Sequence, residues 1–170
     1  MLEEVILVDQ NDQQTGTMEK MEAHQLGLLH RAFSVFIFNS KGELLLQQRA
    51  LGKYHSGGKW TNTCCSHPRP GEETIHAAHR RLMEEMGMRC ALNYGFSFLY
   101  KADFSNALTE HEYDHVFFGT SDDLPVPNPS EVASFCYLNL EDLAREIEIN
   151  PEDYTPWLKI CFSKVLDFKS

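Results

Sequence analysis

The chain has 170 residues, of which 42% are hydrophobic, and its 15 basic and 25 acidic residues give a formal net charge of -10. This length predicts one domain over residues 1–170, and the negative charge argues against nucleic-acid and anionic-membrane partners because it repels polyanions. No apolar run is long enough to span a bilayer and residues 1–4 lack the basic start of a signal peptide, so we expect a cytoplasmic protein.

The first half of the chain predicts strands followed by a helix. Residues 5–8 and 31–38 are strand-like apolar runs, and residues 43–49 return after a polar turn as the partner strand of a hairpin. Residues 73–86 carry apolar side chains at helical spacing, and Gly87 follows as a stop signal. We therefore expect an amphipathic helix with one buried stripe before that glycine.

The second half of the chain predicts three more strands and two closing helices. Residues 94–104 and 110–120 are rich in aromatic side chains, and a proline-containing loop leads into a short strand at residues 132–138. Residues 139–149 and 151–168 predict helices. Strands with a few interspersed helices indicate an α/β or α+β domain with a mixed sheet.

The stretch from Trp60 to Glu73 contains two adjacent cysteines and a histidine, which could form a metal clip, a redox pair or an acid/base set beside a metal. Five cysteines, an odd number, do not resemble a disulfide framework, and Cys64 with Cys65 lacks the Cys-x-x-Cys spacing of a redox motif. Single cysteines are usually small buried hydrophobic residues. Cys65 differs because an ion bound by His67 could tune the proton affinity of its thiol.

Alternation along extended chain predicts two pairs of potential metal ligands. Cys65 and His67 point the same way, and so do Glu110 and Glu112 on a later strand whose face becomes apolar within four residues. Two more histidines complete a shell of nitrogen and oxygen atoms from His24, His30, His67, Glu110 and Glu112. Such a shell suits Zn, Mn or Mg at an octahedral centre better than a cysteine-rich structural zinc site.

Other charged residues have an ordinary interpretation and a functional one. Arg81 and Glu85 have the i, i+4 spacing of a surface ion pair on the predicted helix. Lys20, Arg49 and Lys53 could clamp a phosphate or could simply be solvated. The remaining histidines are expected at the surface: His55, His76, His79, His111 and His115.

Five segments, taken in this order, resemble the type 1 isopentenyl-diphosphate Δ-isomerase family, a branch of the Nudix superfamily. They are residues 17–24 (TMEKMEAH), 28–34 (LLHRAFS), 60–68 (WTNTCCSHP), 110–112 (EHE) and 155–157 (TPW). The resemblance extends from about residue 3 to residue 160. It implies a Nudix-like fold in which a mixed β-sheet is sandwiched between helices.

The Nudix box, G-x5-E-x7-R-E-U-x-E-E-x-G-U with U a bulky aliphatic residue, is only partly matched. Aligning its last glycine with Gly87 brings the following residues into register: Glu72, Arg80, Leu82, Glu84 and Glu85. Ser66 stands at the first glycine, and Arg81 replaces the first helix glutamate, a carboxylate with which Nudix hydrolases hold metals. This loss argues against diphosphate hydrolysis and favours the isomerase, which is similarly degenerate there.

The resemblance implies roles for individual residues in converting isopentenyl diphosphate to dimethylallyl diphosphate. It implies Cys65 and Glu112 as an acid/base pair on opposite faces of the substrate, Tyr100 as a proton relay near Glu112, and Trp157 as a π face for the transient cation. Glu85 would bind a Mg²⁺ that bridges the diphosphate, and Mn²⁺ or Zn²⁺ would occupy the His/Glu shell. The diphosphate contacts would come from Lys20, Arg49, Lys53 and Arg81.

Three other functions remain open from the sequence. A Nudix diphosphate hydrolase would release phosphate from its substrate, and a zinc-stabilised interaction module would use the cysteine and glutamate pairs only for structure. A protein that keeps the metal shell but only binds a partner is a third possibility. The sequence does not indicate the oligomeric state.

Overall fold

A computed structural model of the chain describes residues 2–170. Over these residues, nine β-strands join one sheet and four α-helices pack against it. The strands are β1 (Glu4–Val8), β2 (Gln14–Glu19), β3 (His30–Phe38), β4 (Glu43–Arg49), β5 (Trp60–Thr61), β6 (Cys64–Ser66), β7 (Asn93–Asp103), β8 (Thr109–Thr120) and β9 (Val132–Asn139). The helices are α1 (Lys20–Leu26), α2 (Thr74–Met86), α3 (Leu140–Ile149) and α4 (Pro156–Lys169). Within the described residues, none of these helices has the length and apolar character needed to cross a membrane.

Strand β3 is the centre of the sheet. It pairs in parallel with β8 along its whole length, and it pairs antiparallel with β1, β6 and β4. Strand β7 extends the sheet beyond β8, and β9 extends it beyond β4. The predicted mixed sheet is therefore confirmed.

Helices cover both faces of the sheet, as predicted. On one face, α2 packs over the odd-numbered residues of β3, Phe33, Val35 and Ile37. On the other face, α3 and α4 pack over the even-numbered Phe36 and Phe38. Because both faces are covered, β3 is buried almost throughout and reads as a continuous apolar run instead of an alternating one.

Helix α2 matches its prediction closely. It ends at Gly87, whose φ of +62° caps the helix in the left-handed conformation. Its buried side chains, apart from Glu85, are apolar and lie at helical spacing: Ala77, Ala78, Leu82 and Met86. The burial of this stripe against β3 and β6 stabilises the helix more than its intrinsic propensity does.

The sequence missed two elements near the start of the chain and misplaced one boundary near the end. Strand β2 has no buried side chain, and α1 buries only Ala23 and His24, so neither produces a clear apolar period. The helix predicted at residues 151–168 is a 3-10 turn, Pro151–Asp153, followed by α4. The break occurs where the Thr155 backbone N–H donates to the Trp60 carbonyl instead of continuing a helix.

Candidate active site and metal centre

The register of three strands brings predicted site residues side by side. His30 at the start of β3 is opposite Glu112 of β8, and Tyr100 of β7 is opposite Glu112 on its other side. Paired residues point to the same face of a sheet because side chains alternate along each strand. The Tyr100 hydroxyl donates a hydrogen bond to Glu112 Oε1. Glu112 thus lies between an imidazole and a phenol on the face covered by α4.

Strand β6 carries Cys65 onto this same face. Cys65 is paired with Ser34 of β3, and the Trp157 indole N–H from α4 donates to its Sγ at 3.1 Å. The thiol in turn donates a hydrogen bond to Asn62 Oδ1 at 3.1 Å. Burial and the nearby Asp114 carboxyl raise the pKa of Cys65 to about 12, so the sulfur holds its proton at neutral pH.

Four buried side chains converge from different elements on one point. Ligand atoms of His24, His30, His67 and Glu110 all lie within 4.8 Å of one another. His24 comes from α1, His30 from β3, Glu110 from β8, and His67 lies just beyond the end of β6. Glu112 adjoins this cluster, since its Oε2 is 2.6 Å from His67 Nε2 and 3.4 Å from His30 Nε2. The five residues predicted as a metal shell are thus brought together.

Backbone carbonyls orient two of these imidazoles for ligation. His24 Nδ1 lies 2.6 Å from the Lys20 carbonyl oxygen and His30 Nδ1 lies 2.8 Å from the Leu28 carbonyl oxygen. A carbonyl only accepts, so both Nδ1 atoms carry a proton and both Nε2 atoms present a lone pair to the cluster. Among the described residues, neither Nε2 nor Glu110 Oε2 has a hydrogen-bond partner. Three buried polar atoms aimed at one point, with nitrogen and oxygen donors, fit a divalent metal.

The electrostatics of the cluster favour bound positive charge. Burial opposes ionisation of Glu110, but His24 and His55 lower its pKa well below the usual range. Burial disfavours a charged His24, yet contact with Glu110 raises the pKa of this imidazole. Burial lowers the pKa of His67 to about 4, which leaves its ring neutral and able to ligate. The ionised Glu110 carboxylate and the neutral His67 ring are in the protonation states that metal binding requires, and binding of an ion at His24 would compete with its protonation.

Glu85 is buried on the opposite side of the sheet, under α2. Its carboxylate accepts hydrogen bonds from the Cys64 thiol at 2.7 Å and from Arg81 at 3.1 Å. It is not among the residues whose ligand atoms lie within 4.8 Å of one another. Any metal held by Glu85 would therefore be a second ion, distinct from one at the His/Glu cluster.

One cavity joins these features. Cys65, Glu112, Tyr100 and Trp157 all line it. The four basic residues predicted to contact a diphosphate line it as well: Lys20, Arg49, Lys53 and Arg81. A local basic cluster therefore exists in an acidic chain, as a phosphorylated ligand would require.

Carboxylates hold three of these cations in place. Lys20 lies 3.4 Å from Glu3, while Lys53 and Arg81 lie 2.5 Å and 3.4 Å from the two oxygens of Glu131. Arg49 is different, because no carboxylate in the described part of the chain lies within ion-pair distance and its Nε has no hydrogen-bond partner. Arg49 is therefore the cation most available to an incoming anion.

His55 is the histidine of the site that the sequence analysis misplaced. We predicted it at the surface, but its side chain is buried and its Nε2 is hydrogen-bonded to Glu110 Oε1. It lies in the loop between β4 and β5, which has no periodicity to indicate the direction of a side chain. The other histidines predicted at the surface, such as His76 with 70% of its side chain exposed, lie away from the cluster.

Known proteins are similar to this chain in sequence and in fold. The family model described as NUDIX domain matches residues 28–158. The chain is 55% identical over 167 residues to the isopentenyl-diphosphate Delta-isomerase of Pectobacterium atrosepticum, with 98% of this chain and 93% of that protein covered. It is 52% identical over 170 residues to isopentenyl-diphosphate Delta-isomerase 2 of Aromatoleum aromaticum, with 100% and 90% covered. A solved structure from Deinococcus radiodurans has a TM-score of 0.80 at 20% identity, covers 95% of this chain and 98% of its own, and supports the fold alone.

Proposed function

The chain belongs to the isopentenyl-diphosphate Delta-isomerase family of NUDIX-domain proteins, and from this premise we propose which residues convert isopentenyl diphosphate to dimethylallyl diphosphate. The reaction adds a proton to the terminal alkene carbon and removes one from the allylic methylene carbon, which adjoins the alkene on its diphosphate side. An alkene is a weak base, so the protein must supply a strong acid and shelter a tertiary cation from water. Both tasks require a closed cavity with proton-bearing groups.

We propose Cys65 and Glu112 as the acid/base pair. The observation that carries this assignment is that both side chains line one cavity and that each is hydrogen-bonded by an aromatic side chain of its wall. Burial raises the pKa of Cys65, so its thiol stays protonated at neutral pH and its thiolate is a strong base, and burial also raises the pKa of Tyr100 so that its phenol stays protonated beside Glu112. Tyr100 can therefore orient Glu112 and relay its proton.

The His/Glu cluster would hold Mn²⁺ or Zn²⁺ through His24, His30, His67, Glu110 and Glu112. A divalent ion there would supply positive charge that lowers the proton affinity of Glu112 and makes it a stronger acid. Glu85 would hold a Mg²⁺ that neutralises part of the substrate charge, and Arg81, which lines the cavity, is hydrogen-bonded to Glu85. Arg49 is the best-supported direct contact to the diphosphate, because it has no carboxylate partner of its own within the described residues.

Trp157 has two roles in this proposal. Its indole N–H fixes the Cys65 sulfur, and its ring offers a π face to the transient cation, an interaction worth about 0.5 to 2 kcal/mol. The Arg49 guanidinium lies 5.1 Å from the centre of that ring. The diphosphate and the hydrocarbon tail would thus be held on either side of Trp157. The thiol must be reduced to act, so we propose a reducing compartment, the cytoplasm.

The test is an incubation of the purified protein with isopentenyl diphosphate in heavy water, with Mg²⁺ and with Mn²⁺ or Zn²⁺ supplied. We expect dimethylallyl diphosphate carrying deuterium in its terminal methyl group, detected by NMR, and none from the Cys65→Ala variant. Conversion without deuterium would contradict proton addition from exchangeable groups. Release of phosphate in place of isomerisation would instead support a diphosphate hydrolase.

A further inference from the structure

His55 contacts the metal cluster but is not part of it. Its Nε2 is hydrogen-bonded to Glu110 Oε1, yet the set of ligand atoms within 4.8 Å of one another contains His24, His30, His67 and Glu110 without it. The two carboxylate oxygens of Glu110 therefore have different surroundings. Oε1 accepts the hydrogen bond from His55 and lies 3.2 Å from His24 Nε2, whereas Oε2 has no hydrogen-bond partner among residues 2–170 and lies 3.8 Å from His30 Nε2.

The hydrogen bonds of the imidazoles, taken together with their positions, distinguish His55 from the predicted ligands. His24 and His30 donate through Nδ1 to backbone carbonyls and so present a bare Nε2. His55 has no partner for Nδ1 in the described structure, and its Nε2 faces a carboxylate oxygen that can only accept. The proton of a neutral His55 ring therefore lies on Nε2 and is donated to Glu110. His67 faces Glu112 in the same way, with its Nε2 2.6 Å from Glu112 Oε2 and its Nδ1 without a partner in the described structure. The ligand atom of His67 nevertheless belongs to the group within 4.8 Å, whereas that of His55 does not.

Aromatic packing holds the His55 ring in one orientation. Phe104 stacks on it with ring centroids 4.4 Å apart and planes inclined by 6°, and Tyr54 meets it edge-on with centroids 4.2 Å apart. The Arg49 guanidinium donates to the His55 backbone carbonyl at 3.1 Å, which anchors the loop as well. Because the His55 ring is packed in this way, its Nε2–H points towards Glu110.

We propose that His55 is a positioning residue that donates its Nε2 proton to Glu110 Oε1 and thereby leaves Oε2 as the oxygen available to the metal. This inference rests on the metal site of the proposed function. Hydrogen bonds to ligating carboxylates fix their orientation and increase metal affinity, and their loss typically lowers that affinity about 10- to 100-fold. Without His55, the Glu110 carboxylate would be free to rotate.

The experiment measures the binding of Mn²⁺ alone to purified protein by calorimetry and by electron paramagnetic resonance, before any activity is assayed. In the variant His55→Phe the ring shape that stacks on Phe104 is kept but the donor is lost, and we expect affinity about 10- to 100-fold weaker than in the unmodified protein. In His55→Gln an amide N–H near the Nε2 position is restored, so we expect most of the affinity to return. His76→Phe is the matched control, because it removes an exposed imidazole and should bind as the unmodified protein does.

The outcomes separate this inference from the metal site on which it rests. If the unmodified protein binds no Mn²⁺, the metal site and the role of His55 both fail. If it binds Mn²⁺ and folded His55→Phe binds equally well with the same spectrum, only the role of His55 fails. If X-ray absorption of bound Mn²⁺ shows one nitrogen ligand fewer in His55→Gln than in the unmodified protein, His55 is itself a ligand and the positioning role is wrong.

Discussion

Cys64 and Cys65 are neighbours in the chain, yet they point to opposite faces of the sheet. Cys64 is fully buried in the apolar cluster beneath α2, where its thiol donates to Glu85. Cys65 faces the cavity and accepts the Trp157 N–H. Alternation along β6 therefore gives two adjacent thiols different surroundings, and only one of them can meet a substrate.

This difference predicts the effects of removing each thiol. We expect Cys65→Ala to lower kcat by at least about 10²- to 10⁴-fold, the range lost with a general acid or base, while the protein remains folded. Cys64→Ala should retain activity within about tenfold and mainly reduce stability, by about 1 kcal/mol for the small cavity. Steady-state kinetics on both variants, with circular dichroism as a check of folding, make the comparison. Equal losses, or a larger loss from Cys64→Ala, would show that the wrong cysteine has been assigned.

At the scale of elements, an ion pair ties the loop before α2 to the helix. Glu72 accepts hydrogen bonds from Arg80 Nε at 2.8 Å and from Arg80 Nη2 at 2.9 Å. Its Oε1 also accepts the Arg69 backbone N–H at 2.9 Å, so one carboxylate closes the loop on the helix. The contacts with Arg80 are the main reason that the pKa of Glu72 lies below its ordinary value of 4.5.

The lowered pKa of Glu72 predicts a pH dependence of stability. A carboxyl group whose pKa is lower in the folded state contributes stability above its unfolded pKa, and this contribution disappears as the pH falls through the folded value. Glu72→Gln should therefore cost about 0.5 to 1 kcal/mol at pH 7, after allowance for solvent screening, and almost nothing well below pH 4.5. Urea denaturation at several pH values measures the difference, and Glu73→Gln at an exposed neighbour is the control. A loss of stability that does not change with pH would contradict the proposed link between the ionisation of Glu72 and folding.

The glycine that ends α2 gives a second prediction at this scale. Gly87 has a φ of +62°, and a Cβ there would lie 2.6 Å from the Val126 carbonyl oxygen. Gly42 has a φ of +76° with open space around it, so it isolates the conformational cost alone. We expect Gly42→Ala to reduce the free energy of unfolding by about 1 to 2 kcal/mol and Gly87→Ala to reduce it by clearly more. If urea denaturation shows the same loss of stability for both variants, the close approach of Val126 does not add to the cost of Gly87→Ala.

At the scale of the whole molecule, the candidate metal site links elements that are distant in the chain. His24, His30, His67 and Glu110 come from α1, β3, the segment after β6, and β8. A bound ion would cross-link these elements in the folded state, and the same ligands would be scattered in the unfolded chain. Binding would then stabilise only the native protein.

Removal of metal should therefore lower stability as well as activity. A ligand at 100 times its Kd stabilises the folded state by about 2.7 kcal/mol, which corresponds to about 5 to 10 °C in Tm for a chain of this size. We expect a chelator to lower the Tm of the metal-loaded protein by about this amount and to leave the Tm of the His67→Ala variant unchanged. Differential scanning calorimetry with metal analysis makes the measurement. A Tm that is unchanged after verified loss of metal would exclude a structural contribution of the ion.

The sequence alone determined the mixed sheet, α2 with its capping glycine, the five residues of the candidate metal shell and the choice of Cys65 as the candidate thiol. These features follow from local rules, namely the periodicity of apolar residues, alternation along strands and the chemistry of side chains, or from segments that resemble a known family. Only the tertiary structure decided how distant elements meet. It placed His55 beside Glu110, put Glu85 and Cys64 on the other face of the sheet, and gave Cys65 the Trp157 N–H. These contacts join residues that are far apart in the chain. Their geometry depends on strand register and helix packing, and neither can be predicted from the pattern of a single short segment.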